Sequence, residues 1–136
     1  MKNFRQVLSI TSDAPEQFFN LSYEVEECVR RSLISDGICV VMTQHTTSAV
    51  FLENNRDELF ADWYSFADRL APTDKTEYTV DYAPAGSKHL KAIAFGSSVT
   101  IPVSDGRLDL GPRQFIMYGD FDGCREKTVV VKIIGE

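Results

Sequence analysis

The chain has 136 residues, of which 43% are hydrophobic and 25% charged, and its formal net charge is −6 at pH 7. That size and balance describe one globular domain, residues 1–136, with enough chain to bury a core. The negative charge opposes the positive field by which nucleic acids and anionic lipids are first attracted, so neither is an expected partner and any anion must be met locally.

The opening stretch MKNFRQVLSITSD has no apolar core long enough for a signal peptide, and no run approaches the length that spans a bilayer. The cytoplasm is therefore the expected location. Within this stretch FRQVLSITS alternates with a period near two until Asp13 and Pro15 interrupt it, which predicts an opening strand or hairpin. From Ser22, the run SYEVEECVRRSLISDG sets Val25, Cys28, Val29 and Leu33 on one stripe. Glu26 with Arg30 and Glu27 with Arg31 form i,i+4 pairs on the other side, so the run predicts an amphipathic helix. Ser22 is the expected N-cap and Gly37 the expected stop, after which ICVVMTQ reads as a strand.

Cys28, Cys39 and Cys124 are an odd number without a C-x-x-C pair, which suggests neither a disulfide framework nor a thiolate zinc site. Cys28 and Cys39 fall at apolar positions suited to buried, inert thiols. A second helix is expected from about Asn55, with Asp57 and Glu58 at its positive end, burying Leu59, Trp63, Phe66 and Leu70 before Pro72. Residues 72–89, PTDKTEYTVDYAPAGSKH, hold two prolines, a glycine and little periodicity, and read as the longest irregular segment. The remainder, SVTIPV, RLDL, QFIMYGDF and KTVVVKII, is separated by Asp105-Gly106, Gly111-Pro112 and Asp122-Gly123, turn signals within a run of antiparallel strands. Two main helices among roughly seven or eight strands predict an α+β domain, a layered antiparallel β-sheet sandwich.

Within VVMTQHTTSAVFL, residues 40–52, an imidazole and two hydroxyls interrupt a run that would otherwise suit a core. The two histidines, His45 and His89, each lie in a short polar cluster, QHTTS and GSKHLK. Taken alone, either is more often a buried, hydrogen-bonded core group than a ligand or catalyst. Together they could hold a divalent metal only with a carboxylate such as Asp62, Asp81 or Asp120, and no H-x-x-x-H spacing supports such a site. Thr46 and Thr47 are good strand formers, but consecutive hydroxyls beside an imidazole also suit a phosphate or carboxylate. Arg113 in GPRQ and Arg125, Asp120 and Asp122 in GDFDGCREK flank glycine turns, where guanidinium and backbone N–H groups can capture a phosphate.

Three segments in this order, HTTSAV followed by DW…RLAP, then KHLKAIAFGSSVTIPVSDGRLDLGPRQ, then DFDGCREKTVVVKIIG, resemble the YjbQ family, also called UPF0047. The family is associated with a secondary thiamine-phosphate synthase activity. The resemblance implies a homotrimer with a cleft near the subunit boundary that gathers histidines, a carboxylate and an arginine. A phosphorylated small molecule or other anion, and a divalent metal such as zinc or magnesium, are the implied ligands. Carried onto this chain, the resemblance gives His45, His89 and Asp120 as catalytic residues, with His45 and His89 also the candidates for a metal. Thr46, Thr47, Gln114 and Arg125 become substrate-binding, with Arg113 added where the family has tryptophan. Other departures are Val80 for a histidine, Glu53-Asn54 for Asn-Glu, Asp120 for glutamate, and Cys124 for the proline after the D-G turn. Two functions follow from the resemblance: a transferase resembling secondary thiamine-phosphate synthase, or a non-catalytic binder of an anionic metabolite that has lost part of the family's site.

Overall fold

A computed structural model describes residues 1–74 and 83–136. In chain order the described residues form β1 (Lys2–Thr11), β2 (Gln17–Asn20), α1 (Ser22–Ser32), β3 (Asp36–Thr43), β4 (Ser48–Glu53), α2 (Asp57–Leu70), α3 (Ala83–Phe95), β5 (Ser98–Ser104), β6 (Arg107–Leu108), β7 (Phe115–Asp120) and β8 (Glu126–Gly135). The expected α+β sandwich of antiparallel sheets is present. A large sheet has the order β1-β8-β3-β5-β6 and a small one the order β2-β7-β4. The late strands do not form a simple meander, because β7 inserts between β2 and β4 while β8 inserts between β1 and β3.

Strand periodicity explains the layering. Along β8, Val129, Val131 and Ile133 are fully buried and alternate with half-buried Thr128, Val130 and Lys132. The buried set joins Cys39 and Val41 of β3 and Ile101 and Val103 of β5, and this inner face packs on α1 and on Val50, Ile116 and Tyr118 of the small sheet. The other face of the small sheet, through Phe18, Ala49 and Phe51, packs on α2 and α3. The small sheet is thus the middle layer and is apolar on both faces.

Helix α1 buries Val25, Cys28 and Val29 as its stripe requires. Its ends differ from expectation. Leu21 takes the N-cap position, and Ser22 instead uses its hydroxyl to accept the Ile116 N–H at 2.9 Å. The helix stops at Leu33, which adopts φ 60° and is 75% exposed rather than part of the stripe. Gly37 lies inside β3 opposite Gly135, where a Cβ would stand 2.0 Å from the Ile134 carbonyl oxygen, so close strand approach and not a helix stop requires the glycine. Arg30 pairs with Glu27 at i,i+3, and Arg31 turns to Gln6 of β1 instead of Glu27.

Helix α2 is rotated from the expected phase. Phe60, Trp63, Tyr64 and Ala67 face the core, while Phe66 and Leu70 are 47% and 56% exposed. The Phe18 ring fixes this rotation, with the rings of Phe60, Trp63 and Tyr64 centred 5.9, 5.1 and 4.8 Å away. The larger correction is α3, which occupies the second part of the segment read as irregular. Pro84 falls in its first turn, where a missing N–H breaks no helical bond, and the alanines, lysines and leucine that follow favour helix over the single Gly86. Ser87 donates to the Ala71 carbonyl at 2.6 Å, and buried Lys91 donates to Glu16 at 2.7 Å and Thr73 at 2.9 Å. These contacts pin α3 against the end of α2 and the β1–β2 connection.

Candidate functional site

Three chain segments converge at one end of the sheets: the β3–β4 turn, the middle of α3, and the β7–β8 loop. Together they line a cleft of about 350 Å³ formed by His45, Thr46, Thr47, Lys88, His89, Asp122, Arg125, Glu126 and Lys127. The turn is held from both sides. The Gln44 N–H donates to the Thr128 carbonyl at 3.1 Å, and the Phe121 N–H to the Thr47 carbonyl at 3.1 Å. The loop is fixed by Gly123, whose N–H donates to the Pro15 carbonyl at 2.9 Å and whose Cβ, if present, would lie 1.8 Å from the Ala14 carbonyl oxygen.

Beneath the cleft is a buried ionic anchor. Lys127 donates to Asp120 Oδ1 at 2.7 Å and to the Asp122 carbonyl at 2.8 Å, which leaves a third ammonium hydrogen for the cleft it lines. Asp120 is 0% exposed, and its oxygens also accept from the Ser12 hydroxyl at 2.9 Å and the Asp122 N–H at 3.1 Å. Asp122 in turn holds two cations, Lys88 at 2.7 Å through Oδ1 and Arg125 through Oδ2. One carboxylate therefore spaces two positive groups whose remaining donors face the cleft.

His45 has a defined tautomer. Its Nε2 accepts the Thr128 N–H at 2.9 Å, and an accepting nitrogen carries no proton, so the neutral ring bears its hydrogen on Nδ1. Burial holds the imidazole pKa below its ordinary value, and the nearby Lys127 and Arg125 charges push the same way against the opposing effect of Asp120. At neutral pH His45 is accordingly a hydrogen-bond donor. The Thr46 and Thr47 hydroxyls and the His89 ring complete the cleft, and none of them has a hydrogen-bond partner among the described residues.

The sequence-derived candidates separate into two groups. His45, Thr46, Thr47, His89 and Arg125 line the cleft; Asp120 lies below it as the partner of Lys127. Arg113 and Gln114 do not join it, since both are exposed in the β6–β7 turn, where Gln114 Oε1 accepts the Gly111 N–H at 2.8 Å. Asp122, read from its glycine turn, joins the cleft as well, whereas Lys88, Glu126 and Lys127 carry no signal of their own in the sequence beyond the K-H pair at 88–89 and the turn at Asp122-Gly123. Cys124 has φ 71°, which proline cannot adopt, and its N–H donates to Ser12 Oγ at 2.8 Å. The loop of this chain is therefore built differently from one with proline at that position.

The donors do not suit a zinc or magnesium centre on the two histidines. The Nε2 lone pair of His45 is engaged and its Nδ1 is protonated, and no cluster of three or more His, Cys, Asp or Glu side chains able to hold a metal occurs among the described residues. Asp62 is exposed on α2 and absent from the cleft lining, whereas Val80 and Asp81 lie outside the described residues.

Fold and site together define a small α+β protein with a histidine-flanked cationic cleft at the open end of a two-sheet sandwich. The family model described as UPF0047 protein YjbQ-like matches residues 6–136, and the chain belongs to that family. A UPF0047 protein of Archaeoglobus fulgidus is 35% identical over 119 residues, covering 87% of this chain and 91% of that protein. An uncharacterized conserved yjbq/upf0047 family protein from Clostridium acetobutylicum superposes with a TM-score of 0.88 at 32% identity, over 95% of this chain and 99% of that one. A YbjQ-like protein of unknown function from Sulfolobus solfataricus shares the fold, with a TM-score of 0.93 at 24% identity over 99% of both chains. No helix among the described residues is long and apolar enough to cross a membrane.

Proposed function

We propose that the cleft binds the phosphate or diphosphate end of a phosphorylated small molecule. The observation that carries this reading is the convergence of Lys88, Arg125 and Lys127 with two threonine hydroxyls that have no hydrogen-bond partner among the described residues, in a protein whose overall charge is −6. Cations held in place by carboxylates, Lys127 by buried Asp120 and Lys88 and Arg125 by half-buried Asp122, need little reorganisation when an anion arrives, so they stabilise charge that develops on a leaving group. The reaction of this kind associated with the family joins a pyrimidine diphosphate to a thiazole phosphate with loss of diphosphate. In that reaction Lys88, Arg125 and Lys127 would neutralise the departing diphosphate, and His45 would donate its Nδ1 hydrogen to a phosphate oxygen. A thermal-shift titration with inorganic phosphate, diphosphate and thiamine phosphate tests the reading. Stabilisation is expected for wild type and its loss for Lys88→Ala, and no shift with any of the three would refute anion binding.

A non-catalytic role is favoured by one observation, the engagement of His45 Nε2, which removes the free basic nitrogen that proton abstraction would use. Binding of the same anions without turnover of the two thiamine precursors distinguishes it.

Assembly as a homotrimer in the cytoplasm belongs to the same proposal. Val7, Ile38 and Met42, each 39–41% exposed, share the outer face of the large sheet with Val130 and Ile134, and no described helix covers that face. Neighbouring copies of the chain are the occupants this reading assigns to the apolar face, each contact of a closed trimer joining it to a different patch of the next copy. Light scattering should give three times the 15.3 kDa chain mass.

A further inference from the structure

One charged side chain of the cleft is left over when the others are paired. Lys127 is held by Asp120 at 2.7 Å, Lys88 by Asp122 at 2.7 Å, and Arg125 by the other oxygen of Asp122. Glu126 lines the same cleft, is exposed, and has no hydrogen bond or ion pair among the described residues. The lysine and arginine side chains of the cleft are Lys88, Arg125 and Lys127, and the carboxylates in and directly beneath it are Asp120, Asp122 and Glu126, three of each. The cations of the site are thus balanced before any ligand arrives.

The strand explains why Glu126 stays unpaired although cations precede and follow it in the chain. It is the first residue of β8, opposite Thr11 of β1, and takes the outward phase, whereas Lys127 takes the inward phase and reaches down to Asp120. Arg125 precedes the strand and is drawn to Asp122 within its own loop. Glu126 therefore meets the cleft as a charge without a fixed partner, and the partner has to come with the ligand. An anion held by the three cations lies close to this carboxylate, because a cleft of about 350 Å³ is only about 9 Å across. One unit of like charge about 6 Å away, at an effective dielectric constant of about 40, weakens binding roughly tenfold, and one unit of opposite charge strengthens it by the same factor.

We propose that Glu126 is the specificity-determining residue of the cleft. It holds back bare anions such as inorganic phosphate and favours a phosphate whose carrier bears an ammonium group a few bonds from the ester oxygen. The cations take the phosphate and Glu126 takes the ammonium, so the ligand that fits is a compact zwitterion. This rests on the anion-binding reading above and adds selection by charge pattern.

The test is calorimetry on the whole chain at pH 7.5 with inorganic phosphate, ethyl phosphate and phosphoethanolamine, for wild type, Glu126→Gln and Glu126→Asp. Wild type should bind phosphoethanolamine about ten times more tightly than ethyl phosphate. Glu126→Gln should gain about tenfold for inorganic and ethyl phosphate and lose the preference for phosphoethanolamine. Glu126→Asp keeps the charge and should keep the preference, a rescue that a purely structural role would not produce. Inorganic phosphate bound equally by wild type and Glu126→Gln would overturn the inference and leave the anion site standing. A preference for phosphoethanolamine that persists in Glu126→Gln would overturn it as well. Binding of none of the three ligands by any of the three chains would overturn both this inference and the anion reading.

Discussion

Removing the charge of Lys127 should be among the most damaging single changes in the protein, even though the residue lines an open cleft. Its side chain is 4% exposed and that of Asp120 is 0% exposed, so water screens neither charge appreciably. In Lys127→Met the carboxylate keeps only the Ser12 hydroxyl and the Asp122 N–H as donors. A buried carboxylate stripped of its cation costs about 3–5 kcal/mol, a large part of the roughly 5–15 kcal/mol that holds such a domain folded. Asp120→Asn leaves a buried ammonium with neutral acceptors and should cost less, because the amide oxygen can still accept from Nζ. The double variant removes both charges and should recover part of the loss, giving a coupling of about 1–3 kcal/mol in a double-mutant cycle. Urea unfolding at pH 7 reads this as a midpoint fall of roughly 1.5–3 M for Lys127→Met, at unchanged slope. Singles within about 0.5 kcal/mol of wild type, or strictly additive, would refute the assignment of this pair as the anchor of the site. The variants also separate two roles for Asp120: an anchoring carboxylate predicts that Asp120→Asn keeps both anion binding and any turnover once folded, whereas a proton-transferring one predicts retained binding with lost turnover.

The depressed pKa of His45 makes a prediction with a definite sign. The unfolded histidine binds protons near its ordinary 6.5 and the folded one only at lower pH, so this stability is present above 6.5 and is lost progressively as pH falls from there through the lower folded value. The urea midpoint of wild type should therefore drop more between pH 7.5 and 5.5 than that of His45→Gln, and parallel curves would show that the ring is not kept neutral by the fold. Cys124→Pro, the substitution toward the family pattern, should lower stability by about 2 kcal/mol or more and weaken anion binding, since φ 71° and the N–H to Ser12 are both lost; differential scanning calorimetry and phosphate titration check this. Leu33→Gly should raise stability by about 0.5–1 kcal/mol, because the left-handed C-cap suits glycine and the leucine is 75% exposed; an unchanged or lower melting temperature counts against it.

Where local pattern and tertiary demand agree, the sequence was legible. Strand β8 was readable as an apolar run following the Asp122-Gly123 turn signal, and the Val25, Cys28, Val29 stripe of α1 because burial on one side leaves a period behind. The phase of α2 was not, since the sequence offers apolar residues on two adjoining faces and only the Phe18 cluster selects one of them. Helix α3 was hidden for a different reason: Pro84 and Gly86 are loop signals in isolation, and it is Ser87 and Lys91, bonding to partners 16 and 75 residues away, that tie the helix to the fold. Strand order was equally inaccessible, because the turn signals between late strands say where the chain reverses and not which neighbour it joins.

The site shows the same division, with a consequence for its chemistry. His45, Thr46, Thr47, His89 and Arg125 carry distinctive side chains beside turns, where a core has little use for them, and all five line one cleft. Lys127 stands at the start of the KTVVVKII strand, and the inward phase of β8 that buries Val129 and Val131 also turns residue 127 inward. A lysine on the buried phase of an otherwise apolar strand has to meet an acceptor, and Asp120 at the end of β7 is that acceptor. The pair therefore sets the spacing of everything above it: Asp120 orients Lys127 and the Asp122 N–H, and Asp122 orients Lys88 and Arg125. Positive charge in the cleft is held by carboxylates rather than gathered from a basic surface, and that is how a protein of net charge −6 brings three cations to one cleft.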